Sequence, residues 1–216
     1  MTSTGSSPGF NHNDFYHRFL LRQVPPSCGR ALDAGCGTGL FARRLAQRAH
    51  AVVGIDQDPA VIATARALSA GTPNIDYLQA DLADCDLGEQ SYDYICCIAS
   101  IHHMPFAATV TRLREALAPD GVLAIVGCYR QATLADYLPD LIAIPANLAA
   151  NAAVKAIARH RTRPVPQVNT APVAQPRMTL AEIKREAQRL LPGAVIRRRL
   201  FWRYTLTYTH RPTTAR

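Results

Sequence analysis

The stretch Ala31-Leu-Asp-Ala-Gly-Cys-Gly-Thr-Gly39 constrains this chain more than any other part of it. A short apolar run enters a turn with glycine at 35, 37 and 39, and a segment with Leu40, Phe41, Leu45 and Ala49 on one helical face follows at once. Strand, glycine turn and helix in that order bring backbone N–H groups close to a ligand, a layout that belongs to open α/β sheets. The dinucleotide fingerprint G-x-G-x-x-G would need glycine at position 40, where the chain has Leu40. Asp33 would also sit badly beside a pyrophosphate. A carboxylate at that point suits a ligand with a cationic amine.

The rest of the chain supports an α/β reading. Short apolar strands are predicted at 30–33, 51–55, 75–78, 92–98 and 122–126, separated by helical segments. Asp58-Pro59 opens one helix as N-cap and first-turn proline. Another helix runs from 106 to 117 and is ended by Pro119-Asp-Gly121. Residues 1–10 read as a disordered leader rather than a targeting signal, and 11–27 as a short amphipathic helix ending at Pro25-Pro26. Residues 129–178 interrupt the alternation. They are first Ala/Leu-rich and then carry Pro164, Pro166, Pro172 and Pro176, through which no regular helix can run. Thr179-Leu-Ala-Glu182 restarts a helix with a capping box, and 194–200 with 204–209 form a terminal antiparallel hairpin. Residues 28–216 are thus expected to be one domain with an insertion at 129–178.

Charge and cysteines narrow the classes further. The net charge of +8 is unevenly spread: residues 1–130 hold 10 basic and 12 acidic side chains, for −2, and residues 131–216 hold 14 and 4, for +10. A basic partner therefore concerns the last part of the chain alone. The apolar run at 141–154 is 14 residues long and is broken by Pro145, Asn147 and Asn151. That is too short for a bilayer span of roughly 20 residues. The six cysteines show no C-x-x-C pair. Buried reduced thiols and a cytoplasmic location are the expectation.

Asp56 ends the second predicted strand, and an acid there can accept both hydroxyls of a ribose. Asp81 follows the third strand, within reach of an adenine amino group. Amine, ribose and adenine together describe S-adenosylmethionine. The successive segments LDAGCGTG, GIDQDP, QADL, YDYICCIASIHH and LAPDGVL resemble the motifs of class I S-adenosylmethionine-dependent methyltransferases, closest to the small-molecule type 11 or UbiE-like branch. The resemblance covers about residues 28–128 in order. It implies a Rossmann-like, doubly wound seven-stranded sheet of order 3-2-1-4-5-7-6 with the last strand antiparallel. It also implies that Gly35, Cys36 and Gly37 border the methionine moiety, with Asp33 near its amine. Asp56 would hold the ribose with Gln57 beside the adenine, Asp81 and Leu82 would meet the adenine edge, and Ile98 would line the cofactor. No metal is expected.

Methyl transfer is an in-line displacement in which positioning and desolvation do much of the work, with a base needed only if the acceptor must lose a proton. His103 and His102, after the fourth strand, are the base or acceptor-orienting candidates, His103 slightly preferred; the alternative is that one packs or caps the next helix. The resemblance makes the N-terminal helix a lid, with Asn11, Phe15 or Tyr16 touching ligand. Tyr129, Leu134, Tyr137, Leu138, Leu141, Ile142, Ile144 and Leu148 would make an apolar wall for a hydrophobic or aromatic acceptor, or else complete a core or a dimer contact. The expected partner is a small-molecule acceptor, and the protein a monomer or homodimer. An RNA methyltransferase using Arg197-Arg-Arg199, Arg203 and the 159–163 cluster (arginines that otherwise read as solvated charges at a sheet edge), a peripheral membrane contact, and a non-catalytic cofactor-binding protein are the competing readings.

Overall fold

The computed structural model describes residues 12–132, 175–200 and 202–211. Strand β1 (Cys28–Ala34) lies at the centre, and four of its residues, Ala31 to Ala34, are wholly buried. A strand buried on both faces needs parallel neighbours with helices on either side. It has them: β2 (Ala49–Asp56) and β4 (Tyr92–Ile98) flank it in parallel, β3 (Ile75–Gln79) extends the sheet beyond β2, and β5 (Leu117–Cys128) extends it beyond β4. The terminal strands β6 (Val195–Arg199) and β7 (Arg203–Thr209) complete the order β3-β2-β1-β4-β5-β7-β6, with β7 antiparallel to both neighbours. This is the doubly wound sheet expected from the motifs.

The register sets where a ligand can bind. Ala34 is level with Ile55 and Cys97, Asp56 with Gln79, and Ile98 with Val126. The carboxyl ends of five strands therefore form one edge, and the order reverses between β1 and β4, the place where open α/β sheets bind ligands.

Helices α1 (His12–Leu21), α2 (Leu40–Leu45) and α3 (Pro59–Leu68) cover one face, burying Leu20, Phe41, Leu45, Ile62 and Ala65 against Tyr94 and Val126. Helices α4 (Phe106–Glu115) and α5 (Leu180–Leu190) cover the other, with Val110, Leu113, Ile183 and Ala187 against Ile95, Ile125 and Leu206. The expected caps are present. Asp58 accepts the N–H groups of Ala60 and Val61, and Thr179 and Glu182 close a capping box. The six cysteines are all free thiols. No helix of the described residues is long and apolar enough to cross a membrane.

Three elements differ from expectation. Helix α2 stops at Leu45, and Ala49 is already in β2, because Asn74 donates its side-chain N–H groups to the carbonyls of Ala46 (3.0 Å) and Ala49 (3.2 Å) and so satisfies the helix end early. Helix α4 ends at Glu115, and β5 begins at Leu117 and runs through Pro119-Asp-Gly121. A register shift against β4 absorbs that turn, and Asp120 and His210 exchange main-chain bonds across it (Asp120 N–H to His210 O, 2.7 Å; His210 N–H to Gly121 O, 2.8 Å). The three arginines of β6 are not all solvated. Arg197 is exposed, but Arg198 and Arg199 are half-buried over the rings of Tyr129 (5.6 Å) and Phe19 (5.1 Å). β6 is an edge strand, as the hairpin reading requires.

Candidate active site

The glycine turn crosses the carboxyl edge between β1 and α2. Gly35 and Cys36 donate their N–H groups to Ile55 O (2.8 and 2.9 Å), which anchors the turn on β2. Gly35, Gly37 and Gly39 all have positive φ (75°, 54° and 72°), so the turn is built from residues free of the left-handed penalty. Their surroundings differ. A Cβ on Gly39 would stand 2.0 Å from Tyr77 Oη, whereas a Cβ on Gly37 would meet nothing within 4 Å. Gly39 is glycine for packing. Gly37 faces open space.

Asp56, at the end of β2, accepts the Gly37 N–H on Oδ2 (3.0 Å) and the Asp58 N–H on Oδ1 (3.1 Å). Two backbone donors thus fix the carboxylate while each oxygen keeps a lone pair for a further donor. Gln57 beside it is exposed.

Asp33 lies beneath the turn and is 1% exposed. Its Oδ1 accepts a weak bond from the Cys96 thiol (3.4 Å), and its Oδ2 has no hydrogen-bond partner. Burial pushes this carboxyl up to about 7; the Cys96 thiol opposes the rise and the charge of Asp56 adds to it. Cys36 is buried, and its thiol is pushed up by burial and by the nearby Asp33 and Asp56, so it is no thiolate nucleophile.

The segment after β4 supplies the other wall. Ala99 has φ 50°, a left-handed conformation that costs a non-glycine residue about 1–2 kcal/mol. Its N–H is held by Val126 O at 2.7 Å. The bend turns Ser100 back onto β1, where Oγ donates to Ala34 O (3.0 Å) and occupies the space a Gly35 Cβ would need. His102 and His103 follow in a single 3-10 turn, Ile101–His103, with ring centroids 4.1 Å apart. His103 is exposed. His102 is half-buried with no hydrogen-bond partner for Nδ1, and burial, with the charges of His103 and Arg203 acting the same way, lowers it to about 4. Ile98 is half-buried against the α1-side core.

Asp33, Gly35, Cys36, Gly37, Asp56, Ile98 and the histidine pair thus stand at the ends of β1, β2 and β4. Asp81 is exposed just past β3, where Ala80 N–H meets Asp56 O (3.0 Å), and its Oδ1 caps Ala83 N–H at 2.9 Å. Leu82 is buried in the α4-side core. Asp93 accepts the N–H groups of Gly29 (2.8 Å) and Arg30 (2.9 Å) and so ties β4 to β1.

Some residues of the site were not singled out from the sequence. Tyr77 lies over Gly54, where a Cβ would come within 2.7 Å of its ring, and its Oη shares a hydrogen bond with Ser69 (2.9 Å) behind the turn. Glycine inside a strand signals such an approach, but not which side chain makes it. Arg199 and Arg203 reach this edge only through the hairpin register. In α1, Tyr16 and Leu20 are core residues, and Tyr94 Oη donates to Leu20 O at 3.0 Å. Asn11 and the apolar positions from 134 to 148 lie outside the described residues, and Tyr129 is buried in the core. A groove of about 1070 Å³, lined by Arg22, Pro25, Glu89, Arg114, Val195 and His210 among others, lies at the opposite end of the sheet and has no part in this arrangement.

Comparison with known proteins agrees with this geometry. The sequence model of a family described as "Methyltransferase domain" matches residues 31–121. An uncharacterized methyltransferase of Mycobacterium tuberculosis is 34% identical over 201 residues, covering 92% of this chain and 96% of that protein. A ubiquinone biosynthesis O-methyltransferase of Vibrio atlanticus is 32% identical over 96 residues, covering 43% of this chain and 40% of the relative. The structure of a SAM-dependent methyltransferase from Aquifex aeolicus superposes with a TM-score of 0.60 at 13% identity, over 90% of this chain and 89% of that one, a likeness of fold.

Proposed function

Because the chain belongs to the S-adenosylmethionine-dependent methyltransferases, we propose that its carboxyl-edge crevice binds that cofactor through Asp33, Gly37 and Asp56 and methylates a small hydrophobic or aromatic acceptor. The observation that carries the proposal is the contrast among these three residues. Asp33 keeps a buried oxygen without a partner, which suits an ammonium group. Gly37 leaves open space at the turn, into which a side chain would project. Asp56 is oriented by two backbone amides, which suits a pair of hydroxyls. Gly35 and Cys36 shape the turn below, while Gln57, Asp81, Leu82 and Ile98 surround the adenine and the inner wall in this reading.

When bound, S-adenosylmethionine supplies an electrophilic methyl group on a sulfonium. The chain has to hold it, exclude water and aim the acceptor, which accounts for much of the rate in a displacement of this kind. His102 remains a neutral imidazole at ordinary pH and can accept a hydrogen bond from an acceptor hydroxyl or amine. With its conjugate acid near 4, it is a weak proton acceptor, since general-base catalysis is most effective with a pKa near the working pH. Orientation is therefore its role. His103, being exposed, is the lesser candidate. A small molecule is favoured over RNA because Arg198 and Arg199 are turned onto aromatic rings instead of forming an open basic face. The relative named as a ubiquinone biosynthesis O-methyltransferase supports an oxygen as the methyl-accepting atom.

Calorimetric titration with S-adenosylmethionine tests the binding half. Wild type should bind, and Asp56→Ala should lose roughly 30-fold or more in affinity, as expected for two charge-assisted hydrogen bonds, while remaining folded. Equal affinity in the two proteins would remove Asp56 from the site.

A further inference from the structure

The carboxyl group of Asp33 is buried at the centre of the sheet with little around it to hold a negative charge. Asp33 is level with Gly54 of β2 and Cys96 of β4, and its Oδ2 has no hydrogen-bond partner. Its Oδ1 meets the Cys96 thiol, a weak donor that is also 3.4 Å from Leu32 O. The titratable groups that interact with it are Cys36 of the turn, Asp56 of β2, Tyr77 of β3, and Tyr94, Cys96 and Cys97 of β4. None of these is a cation. The arginines of α2 are engaged elsewhere: Arg43 donates to Thr38 O (2.9 Å) and Ser69 Oγ (3.3 Å), and Arg44 meets His17 of α1.

A carboxylate in such a place loses its water and gains no charged partner, so the neutral acid is favoured. Burial raises the group to about 7; the Cys96 thiol opposes the rise, Asp56 adds to it, and the Ala42 N–H at the start of α2 opposes it. Burial also raises the Cys96 thiol well above its usual range, so it stays a donor. The α-amino group of S-adenosylmethionine is an ammonium below about pH 8. It brings both the donor and the positive charge that Oδ2 lacks.

We propose that Asp33 is a proton-coupled receptor for the cofactor's ammonium: neutral before the cofactor binds, it gives its proton to solvent when the ammonium enters, and Cys96 sets how readily it does so. The carboxyl O–H bond breaks, its electron pair stays on the carboxylate, and the ammonium keeps its own protons. Cys96 is the tuning residue because a hydroxyl in its place would hold the carboxylate more strongly, and an apolar side chain would not hold it at all. The proposal rests on the crevice being the cofactor site.

The test is calorimetric titration of the full chain with S-adenosylmethionine at pH 6 in phosphate, MES and Bis-Tris, whose ionisation enthalpies differ. Wild type should release close to one proton per cofactor bound, and its affinity should rise at least about tenfold from pH 5.5 to 7. S-adenosylhomocysteine, which keeps the amine and lacks the sulfonium, should release the same proton. Cys96→Ser should bind several-fold tighter than wild type at pH 5.5 and equally at pH 7.5, whereas a merely structural residue would change both alike. Cys96→Ala should bind more weakly than wild type at pH 5.5 and serves if Cys96→Ser does not fold. Binding without proton release, affinity equal at pH 5.5 and 7, release with S-adenosylmethionine alone, or Cys96 variants that act alike at both pH values overturns the proposal. If wild type binds neither compound at any of these pH values, the reading of the crevice itself falls, and this inference with it.

Discussion

Gly37 donates its N–H to the carboxylate of Asp56 at 3.0 Å, so the turn after β1 and the acid that ends β2 form one rigid unit. Neither residue is sufficient alone. The glycine provides room above the sheet, and the acid provides hydrogen-bond acceptors held in a fixed direction.

That pairing predicts different outcomes for two glycines two positions apart. Gly37→Ala should fold with a loss of about 1 kcal/mol from its left-handed φ, yet bind S-adenosylhomocysteine at least tenfold more weakly, because the added methyl projects into the open space proposed for the ligand. Gly39→Ala should lose about 2–4 kcal/mol of stability, since its Cβ collides with the Tyr77 ring, whose hydroxyl is held by Ser69. Chemical denaturation alongside cofactor titration separates the two, and equal behaviour would contradict this account of the turn.

Asp33 should make stability depend on pH in a known direction. Its carboxyl is raised from 3.8 to about 7 in the folded protein, so its protonated form favours folding. The contribution is complete below about pH 4 and is lost as pH rises through about 7. Asp33→Asn removes this dependence. Its melting temperature relative to wild type should therefore climb between pH 5 and about 7 and then level off. The same variant should bind S-adenosylmethionine poorly at pH 8, where wild type presents a buried carboxylate to the ammonium. A pH-independent difference in melting temperature would show that Asp33 is ionised throughout.

Helix α1 should behave as core rather than as a detachable cover. Leu20 is wholly buried, and Leu20→Ala should cost about 2–5 kcal/mol. Tyr94→Phe, which removes the donor to Leu20 O, should cost about 1–2 kcal/mol. Urea unfolding measures both. Losses below half a kcal/mol, with cofactor binding alone affected, would instead describe a lid.

For the histidines, His102→Ala should lower kcat by roughly tenfold or more and leave cofactor affinity within about twofold, the pattern of a group that orients the acceptor. His103→Ala should have the smaller effect. Since His102 is neutral above about pH 5, the kcat of wild type should show no ionisation from it between pH 6 and 8. A larger loss from His103→Ala would exchange their roles.

Much of the geometry of the candidate site is legible in the sequence, for a physical reason. Asp33, the three glycines and Asp56 sit at strand ends, where a turn or cap leaves a local imprint on the chain. The Asp58 cap and the Thr179–Glu182 box were legible in the same way. Long-range contacts left no such mark. Nothing near Gly39 or Gly54 points to Tyr77, and the left-handed Ala99 carries no glycine to announce it. Arg199 and Arg203 read as edge charges until the β5–β7 and β6–β7 registers bring them to the carboxyl edge of the sheet. Pro119-Asp-Gly121 has the composition of a helix stop followed by a loop, and only pairing with β4 and β7 draws it into a strand. The apolar wall expected from residues 134–148 lies outside the described residues, so the acceptor side rests on the histidines.

The most direct test of methyl transfer to a small molecule is incubation of the protein with methyl-labelled S-adenosylmethionine and a cell extract, followed by separation of low-molecular-weight compounds from RNA and protein. The label should appear in a low-molecular-weight product, and Asp56→Ala should abolish it. Label in the RNA or protein fraction, or no label despite cofactor binding, would contradict the account.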